Sequence, residues 1–158
     1  EFSNDVQYET ELVIKIAKNG KHIQEEFAHS YYKEVALGVD FTARDLQNQF
    51  KNEGKPWELC KGFDNSAPVS NFIPISSLKN PQNICFKGLI NNKIVQEGSS
   101  ADMIFHFDKL ICFISKYITL KMGDIIFTGT PSGVGTVKIG DVFTGYIEDN
   151  LLLNFKIK

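Results

Sequence analysis

The sequence contains little cysteine, proline or tryptophan, with three, five and one of these residues among 158. Cys60, Cys85 and Cys112 form an odd set without paired spacing, which argues against a disulfide framework and favours a reducing compartment. No C-x-x-C pair occurs, so we do not expect a thiolate zinc site. We therefore expect a cytoplasmic protein that is stabilised by an ordinary hydrophobic core.

Strong charge of one sign and long apolar runs are also missing. The formal net charge is −2 at pH 7, which gives no electrostatic reason to bind nucleic acid or an anionic membrane. The longest apolar-rich stretch, MIFHFDKLICFISKYI, is interrupted by His106, Asp108 and Lys109. No apolar run approaches the roughly 20 residues that cross a bilayer. We expect neither a nucleic-acid partner nor a membrane partner.

The patterns that are present indicate one domain over residues 1–158, mostly β with a few helices (α+β). Hydrophobic residues make up 42% and charged residues 23%, as is typical of a globular domain. Strand patterns outnumber helix patterns. Strands are predicted at 8–17, 35–41, 84–90, 93–98, 125–127, 141–147 and 151–158. Two hairpins are expected, one turning at 91–92 and one at 148–150.

Helix signals are fewer. Thr42 and Asp45 fit a capping box, which predicts a helix that stops near Gly54. Ser99 and Asp102 fit a second capping box, which predicts an amphipathic helix that runs to about residue 117. A short helix is expected within 25–34, and the segment 55–74 is expected to be a loop.

Two glutamates stand out in the stretch VQYETELVIKIAK. Glu9 and Glu11 are two residues apart in an alternating strand, so their side chains share a face, with Leu12 and Ile14 on the other side of the alternation. Two unpaired carboxylates inside a core are costly, and a divalent cation relieves that cost. The alternative is an edge strand whose glutamates face water.

Asp40 bears on this choice because it ends an apolar strand just before a predicted helix. An acid at that position is either a turn residue or a third ligand. An all-carboxylate site suits Mg²⁺, Mn²⁺ or Ca²⁺ better than zinc.

Five motifs in register carry a resemblance to a known family. They are YETEL, GVDFTARDLQ, LCKGFDNSAPVSNFIP, GSSADMIF and GDIIFTGTPSGVG. From about residue 6 to the C-terminus the chain resembles the catalytic domain of the fumarylacetoacetate hydrolase family, most closely its acylpyruvate hydrolase and oxaloacetate decarboxylase branch. The resemblance implies a mixed β-sandwich roll.

The resemblance also implies a metal site. It identifies Glu9, Glu11 and Asp40 as the ligands of one Mg²⁺ or Mn²⁺, with Ca²⁺ possible in crystals. It makes Lys61 a catalytic and substrate-binding cation that offsets the negative charge of the site. The alternative for Lys61 is a surface lysine in a polar loop.

Three further residues are implied to bind the substrate. Arg44 and Gln47 lie three apart on one face of a predicted helix and would orient the substrate. Thr130, in the glycine-rich loop TGTPSGVG, would contact the substrate carboxylate. The alternatives are a salt bridge from Arg44 to its own helix neighbours, and a tight turn with structural glycines around Thr130.

The implied activity is metal-dependent cleavage of the C–C bond of acylpyruvates, with possible decarboxylation of oxaloacetate, through a metal-bound pyruvate enolate. The implied partners are a small 2-oxo acid substrate and a second copy in a homodimer. An enzyme of the 2-hydroxyhepta-2,4-diene-1,7-dioate isomerase type is the alternative within the family. A non-catalytic metal-binding β domain is the alternative outside it.

Relatives in the family carry an N-terminal lid segment, close to G-R-N-Y-x-x-H-x-x-E, whose His and Glu activate water. This chain begins after the position of that segment, so we expect a fragment of a longer protein. We also expect it to bind metal but to hydrolyse its substrate poorly.

Overall fold

Antiparallel strands dominate the computed structural model, which describes residues 2–158. The strands are β1 (Val6–Tyr8), β2 (Thr10–Ile16), β3 (Tyr32–Val39), β4 (Thr42–Ala43), β5 (Ile73–Pro74), β6 (Cys85–Ile90), β7 (Lys93–Ser99), β8 (Ile125–Phe127), β9 (Gly135–Thr136), β10 (Val142–Ile147) and β11 (Asn150–Lys156). The α-helices are α1 (Glu25–Ala28), α2 (Arg44–Glu53), α3 (Glu58–Lys61) and α4 (Phe107–Tyr117). The predicted mostly β fold with a few helices is confirmed.

The strands form three sheets, and β2 lies inside one of them. The sheet orders are β5-β3-β2-β8, β11-β10-β6-β7 and β4-β1-β9. Leu12, Val13 and Ile14 of β2 are all at most 1% exposed, so both faces of this strand are buried. The sequence alternation indicated one apolar face. The second face is buried as well because another layer of the protein covers it.

The two four-stranded sheets approach closely at two glycines. A Cβ atom at Gly88 of β6 would lie 2.6 Å from Oγ1 of Thr10, and one at Gly145 of β10 would lie 2.5 Å from Cδ2 of Leu37. Real Cβ atoms do not approach that closely, so only glycine lets the sheets pack here. This packing brings β6 and its partner β7 against the segment that carries the two glutamates.

Helix α2 begins without the predicted capping box. Its N-cap is Ala43, and no side chain caps it. Asp45 instead accepts hydrogen bonds from Ser3 Oγ at 2.6 Å and from Asn4 N at 2.9 Å. The predicted end is confirmed, because Gly54 has φ +65° and closes the helix in the left-handed conformation.

Helix α4 starts later than predicted. Ser99 Oγ does accept a hydrogen bond from Ala101 N, but it caps only the 3₁₀ turn at Ser100–Asp102. The α-helix begins at Phe107 and ends at Tyr117, as expected. No helix among residues 2–158 has the length and apolarity to span a membrane.

Of the remaining secondary-structure predictions, some are confirmed and others are wrong. Both hairpins are confirmed, with Asn91 and Asn92 at φ +49° and +65° in the first turn and Glu148 at +51° in the second. The helix predicted within 25–34 ends in a 3₁₀ turn, and β3 begins at Tyr32. The predicted loop 55–74 contains α3 and β5, so the loop prediction was wrong there.

Candidate metal centre and substrate site

Three carboxylates meet where β2 begins and β3 ends. Glu9 is the one residue between β1 and β2, Glu11 lies in β2, and Asp40 follows β3. The two strands pair antiparallel with Thr10 opposite Val39, and Asp40 N donates a hydrogen bond of 2.8 Å to the carbonyl oxygen of Glu9. One carboxylate oxygen from each of the three residues lies within 4.8 Å of the other two.

The two glutamates of the cluster are buried, and Asp40 is half-buried. Glu9 is 9% exposed and Glu11 is 4% exposed, which rules out the edge strand with water-facing glutamates. Oxygen ligands lie about 2.0–2.6 Å from Mg²⁺ or Ca²⁺, so two ligands of one ion are at most about 4–5 Å apart. The observed spacing and the all-carboxylate donor set both fit one hard divalent cation.

Two cations hold Glu9 in its ionised form. Lys61 Nζ donates to Glu9 Oε2 at 2.7 Å, and Arg44 Nη2 donates to Glu9 Oε1. Burial by itself would raise the pKa of Glu9, but the hydrogen bonds from Lys61 and Arg44 outweigh it and lower that pKa. Glu9 therefore carries a compensated negative charge.

Glu11 is in a different situation. Its Oε2 accepts a hydrogen bond of 2.6 Å from the backbone N–H of Gly129. Across residues 2–158, no salt bridge reaches its carboxylate. Burial raises the pKa of Glu11 to about 7; the Gly129 bond and the more distant Lys61 charge oppose this shift, and the neighbouring Asp40 and Glu9 charges add to it. Glu11 is thus the buried carboxylate that lacks a positive partner.

Lys61 sits above the cluster at the end of α3. Besides Glu9, its Nζ donates to Asp40 Oδ2 at 2.6 Å and to Thr42 Oγ1 at 2.7 Å. Burial lowers the pKa of Lys61, but its contacts with the Asp40 and Glu9 carboxylates outweigh burial and raise that pKa, so Lys61 keeps its positive charge. Burial raises the pKa of Asp40 in spite of the Lys61 contact. The alternative of a free surface lysine is wrong.

The guanidinium group of Arg44 is held by three hydrogen bonds. In addition to Glu9, its Nε donates to Gln7 Oε1 at 2.9 Å and its Nη1 donates to Gln47 Oε1 at 2.6 Å. The Gln47 contact confirms that these two residues share a face of α2. The carboxylate partner of Arg44 is Glu9, on a neighbouring segment, so the alternative of a salt bridge within its own helix is wrong.

Thr130 lies in the loop that closes onto Glu11. Its hydroxyl donates to the carbonyl oxygen of Thr10 at 2.9 Å and accepts from Gln96 Nε2 at 2.8 Å. Gly129, which donates to Glu11, has φ +101°, a conformation that favours glycine. The loop glycines are therefore structural and also bring a backbone N–H to the carboxylate cluster.

The structure thus brings the predicted metal ligands together with Lys61, Arg44 and Gln47, and it joins Thr130 to them through the loop. The sequence reasoning missed Gln7, Thr42 and Gln96. Gln7 and Thr42 each lie two residues from a predicted ligand, a spacing that puts side chains on the same face of a strand. Gln96 carried no comparable signal, because its strand reads as half of an ordinary hairpin.

A carboxylate cluster beside a lysine and an arginine, on packed antiparallel sheets, has the donor set found in enzymes that use a divalent cation. The family model for the C-terminal part of fumarylacetoacetate (FAA) hydrolase matches residues 1–154. The chain belongs to this family.

Relatives in the family carry related names. The chain is 38% identical over 157 residues to the mouse mitochondrial protein named oxaloacetate tautomerase FAHD1, covering 99% of this chain and 71% of that protein. It is 41% identical over 140 residues to a Dictyostelium discoideum protein named mitochondrial oxaloacetate decarboxylase, covering 89% and 64%.

Solved structures share the fold. The fumarylpyruvate hydrolase of Pseudomonas aeruginosa, solved in complex with Mn²⁺ and pyruvate, superposes with a TM-score of 0.92 at 32% identity. The match covers 100% of this chain and 69% of that one. The fumarylacetoacetate hydrolase-type fold expected from the sequence is therefore confirmed.

Proposed function

We propose that residues 1–158 form one catalytic domain that acts on small 2-oxo acids by way of a pyruvate-type enolate. The net reaction would be cleavage of the C–C bond of acylpyruvates or decarboxylation of oxaloacetate. The observation that carries this proposal is the cluster of buried Glu9 and Glu11 with half-buried Asp40, in contact with Lys61 and Arg44. Relatives named oxaloacetate decarboxylase and fumarylpyruvate hydrolase support it, the latter with pyruvate bound.

The charge of the site supports Mg²⁺ or Mn²⁺ as the cofactor. Three carboxylates face two basic side chains, which leaves one negative charge uncompensated, and Glu11 has no cationic partner within residues 2–158. Glu9, Glu11 and Asp40 would hold the cation. When bound, it supplies Lewis-acid polarisation of a keto oxygen and offsets developing negative charge.

Lys61 and Arg44 would bind the anionic substrate and stabilise its negative charge. The ammonium of Lys61 is a compact charge beside two of the candidate ligands, and it stabilises negative charge that develops on the substrate oxygen. Arg44 is held in one orientation by its three contacts, so it loses little side-chain freedom on binding a ligand. Gln47 accepts from Arg44 through Oε1, which directs its amide nitrogen elsewhere, and we propose that this N–H group donates to the substrate.

Tautomerisation is a second candidate function. The mouse relative is named an oxaloacetate tautomerase, and keto–enol exchange passes through the same type of enolate. An isomerase of the 2-hydroxyhepta-2,4-diene-1,7-dioate type also requires stabilised negative charge on an enol oxygen. The same carboxylate cluster and the same lysine would serve each of these reactions.

A binding experiment tests the shared site, and a turnover experiment then separates the reactions. We expect Mg²⁺ or Mn²⁺ to raise the melting temperature, and oxalate, which resembles the 2-oxo acid end, to raise it further. Ligand at about 100 times Kd adds roughly 2.7 kcal/mol of stability. Acetylpyruvate, fumarylpyruvate and oxaloacetate are then compared in parallel, with and without metal. No shift with metal or oxalate would leave the non-catalytic β domain as the better description.

We propose that the protein pairs with a second copy of itself. An exposed aromatic stripe, defined as Phe105, Lys109, Phe113 and Tyr117, begins two residues before α4 and continues along the exposed side of that helix. Lys109 Nζ lies 5.2 Å from the centre of the Phe105 ring, and the Phe113 and Tyr117 rings are 5.4 Å apart. Phe113 is 58% exposed and Tyr117 is 70% exposed, which is unusual for large aromatic residues on a monomer.

We also propose a reducing, cytoplasmic compartment. Cys60, Cys85 and Cys112 are all free thiols in the structure, which is compatible with such a compartment. Several relatives are named as mitochondrial proteins, so cell fractionation should compare the two locations directly.

A further inference from the structure

Gln96 is a buried amide whose polar atoms all have partners. It is 2% exposed in the middle of β7. Its Oε1 accepts from Thr10 N at 2.8 Å, and its Nε2 donates to Thr130 Oγ1 at 2.8 Å and to Pro131 O at 3.0 Å. A backbone N–H can only donate and a carbonyl oxygen can only accept, so these partners fix which end of the amide is oxygen.

The partners of Gln96 belong to the two halves of the candidate site. Thr10 is the residue between the candidate ligands Glu9 and Glu11, and Thr130 is the residue expected to contact the substrate. The Thr130 hydroxyl also donates to Thr10 O at 2.9 Å, so the backbone N–H and the carbonyl oxygen of Thr10 are both bound. Gln96, Thr10 and Thr130 therefore form a closed hydrogen-bonded ring, defined here as the Gln96 ring.

We infer that Gln96 is a positioning residue for the substrate half of this site, an inference that rests on the proposed function. Its Nε2 can only donate, so the Thr130 hydroxyl must accept from it and direct its own proton elsewhere. That proton goes to Thr10 O in this structure. A substrate carboxylate oxygen is the alternative acceptor. Gln96 thus keeps Thr130 as a donor toward the ligand and holds the loop at a fixed distance from β2.

The same geometry predicts that metal binding and ligand binding respond differently. On one side Thr10 and Glu11 pair with Val39 and Gly38 of β3, and Asp40 N donates to Glu9 O, so this pairing keeps the carboxylates of Glu9 and Glu11 in place without Gln96. The loop has fewer supports. Apart from the Gln96 bonds, it is tied to β2 through Gly129, Thr130 and Thr128. Loss of Gln96 should therefore weaken binding of the oxo acid and spare the cation.

The test uses Gln96→Met, Thr130→Val and the double variant, with Mn²⁺ and oxalate as the probes. We expect Gln96→Met to bind Mn²⁺ within about twofold of the wild type, and to bind oxalate about tenfold more weakly at saturating Mn²⁺. If Gln96 acts through Thr130, the double variant should lose no more oxalate affinity than Thr130→Val alone. Calorimetric titration measures both constants.

Ser115→Ala is the matched control. Ser115 is also a fully buried polar side chain that accepts from a backbone N–H, that of Ile23, but it lies on α4 and takes no part in the site. We expect this variant to melt earlier and to keep both binding constants. Gln96→Leu is measured beside Gln96→Met, because it also removes the acceptor and both donors but fills the space with a different shape. It gives a second folded variant if Gln96→Met is too unstable.

The outcomes are distinct. Wild-type affinity for oxalate in both Gln96 variants, or losses that multiply in the double variant, would overturn the inference and leave the proposed function standing. A wild-type protein that binds Mn²⁺ but shows no affinity for oxalate would overturn the proposed function, and the inference would fall with it.

Discussion

The three carboxylates of the site are not equivalent. Glu9 is ionised by contact with Lys61 and Arg44, whereas the partner of Glu11 within residues 2–158 is the N–H of Gly129 alone. A buried carboxylate without a cation favours its protonated form, which is the form that cannot bind a metal. Glu11 is therefore the residue at which the presence of a metal should matter most.

Replacement of Glu11 by glutamine should separate metal binding from folding. Glu11→Gln keeps an oxygen that can accept from Gly129 and removes the charge that a divalent cation requires. We expect Mn²⁺ affinity to fall about 100-fold or more, and the metal-free protein to be as stable as the wild type or more stable. Glu34→Gln, on the neighbouring strand and paired with Lys15, is the control and should bind Mn²⁺ normally. Equal affinities in the two variants would contradict the assignment of Glu11.

Stability of the metal-free protein should decrease as pH rises toward neutrality. The pKa of Glu11 in the folded protein is about 7, above its ordinary value of 4.5, so its contribution is fully present below about pH 4.5 and is lost as pH rises through about 7. The pKa of Asp40 is raised as well and acts in the same direction. In EDTA, urea unfolding at pH 5 and pH 8 should differ by on the order of 2 kcal/mol.

Two comparisons check this pH dependence. Glu11→Gln should flatten most of it, because the titrating group is gone. Saturating Mg²⁺ should reverse it, because the cation binds the ionised carboxylate and competes with protons. Stability that rises between pH 5 and pH 8 in EDTA would show that Glu11 is already ionised at the lower pH.

Removal of the Lys61 charge should affect the metal and the substrate in opposite ways. Lys61→Met keeps most of the side-chain volume and removes a positive charge next to Glu9 and Asp40. A divalent cation then meets less repulsion, so Mn²⁺ affinity should stay the same or increase. Oxalate affinity at saturating Mn²⁺ should fall about tenfold or more, because an anionic ligand loses its cation. Parallel losses for metal and oxalate would indicate collapse of the site rather than lost charge.

Sequence patterns singled out the three acidic residues of the site, but the family resemblance implied their role as metal ligands and added the basic and polar residues around them. Alternation places Glu9 and Glu11 on one face, and the end of an apolar strand marks Asp40. The sequence did not predict a role for Gln96. Its hydrogen-bond partners lie 86 and 34 residues away and come close to it only when the sheets pack. Gly129 was missed as a donor to Glu11 for the same reason, since a backbone N–H leaves no mark in the sequence.

At the level of elements, a prediction was correct where the signal depends only on local backbone conformation. It was wrong where other parts of the chain bind the same side chains. The paired asparagines of the first hairpin and the glycine at the end of α2 are fixed by local backbone conformation. The capping box predicted at Thr42 does not form, because both of its side chains bind groups that are more distant in the sequence. Thr42 belongs to β4 and accepts from Lys61, and Asp45 accepts from Ser3 and Asn4.

Substitutions at Gly54 test how much the left-handed residue at the end of α2 contributes to stability. This helix carries Arg44 and Gln47. It has φ +65°, and no atom lies within 4 Å of the point that a Cβ would occupy, so an added methyl group meets backbone strain rather than a steric clash. We expect Gly54→Ala to cost about 1 kcal/mol in urea unfolding and Gly54→Asn to cost less, because asparagine tolerates this conformation. Asn52→Ala, within the same helix, is the control and should not destabilise. Equal stability of the two Gly54 variants would argue against strain as the cause.

At the scale of the whole molecule, the order of the sheets could not be predicted from the sequence. β1 is followed directly by β2, yet the two strands belong to different sheets, and β9 pairs with β1 although the two lie near opposite ends of the chain. Gly88 and Gly145 mark where two sheets nearly touch, but a glycine in a strand pattern does not reveal its partner. The layered packing therefore emerged only from the structure, and it gives the site its enclosed carboxylates.

The exposed aromatic stripe on α4 makes the assembly testable. A cavity of about 560 Å³ separates its Phe105 end from the candidate substrate site, because Phe105 lines it on one side and Gly129 and Thr130 line it on the other. Apolar surface of this kind is stable when a second copy covers it. We expect light scattering after gel filtration to give a dimer mass for the wild type, and Phe113→Glu to give a monomer, because a buried charge at the interface costs several kcal/mol. Ile139→Glu, on an exposed apolar residue outside α4, should remain dimeric. A monomeric wild type, or dissociation by both substitutions alike, would reject the stripe as the interface.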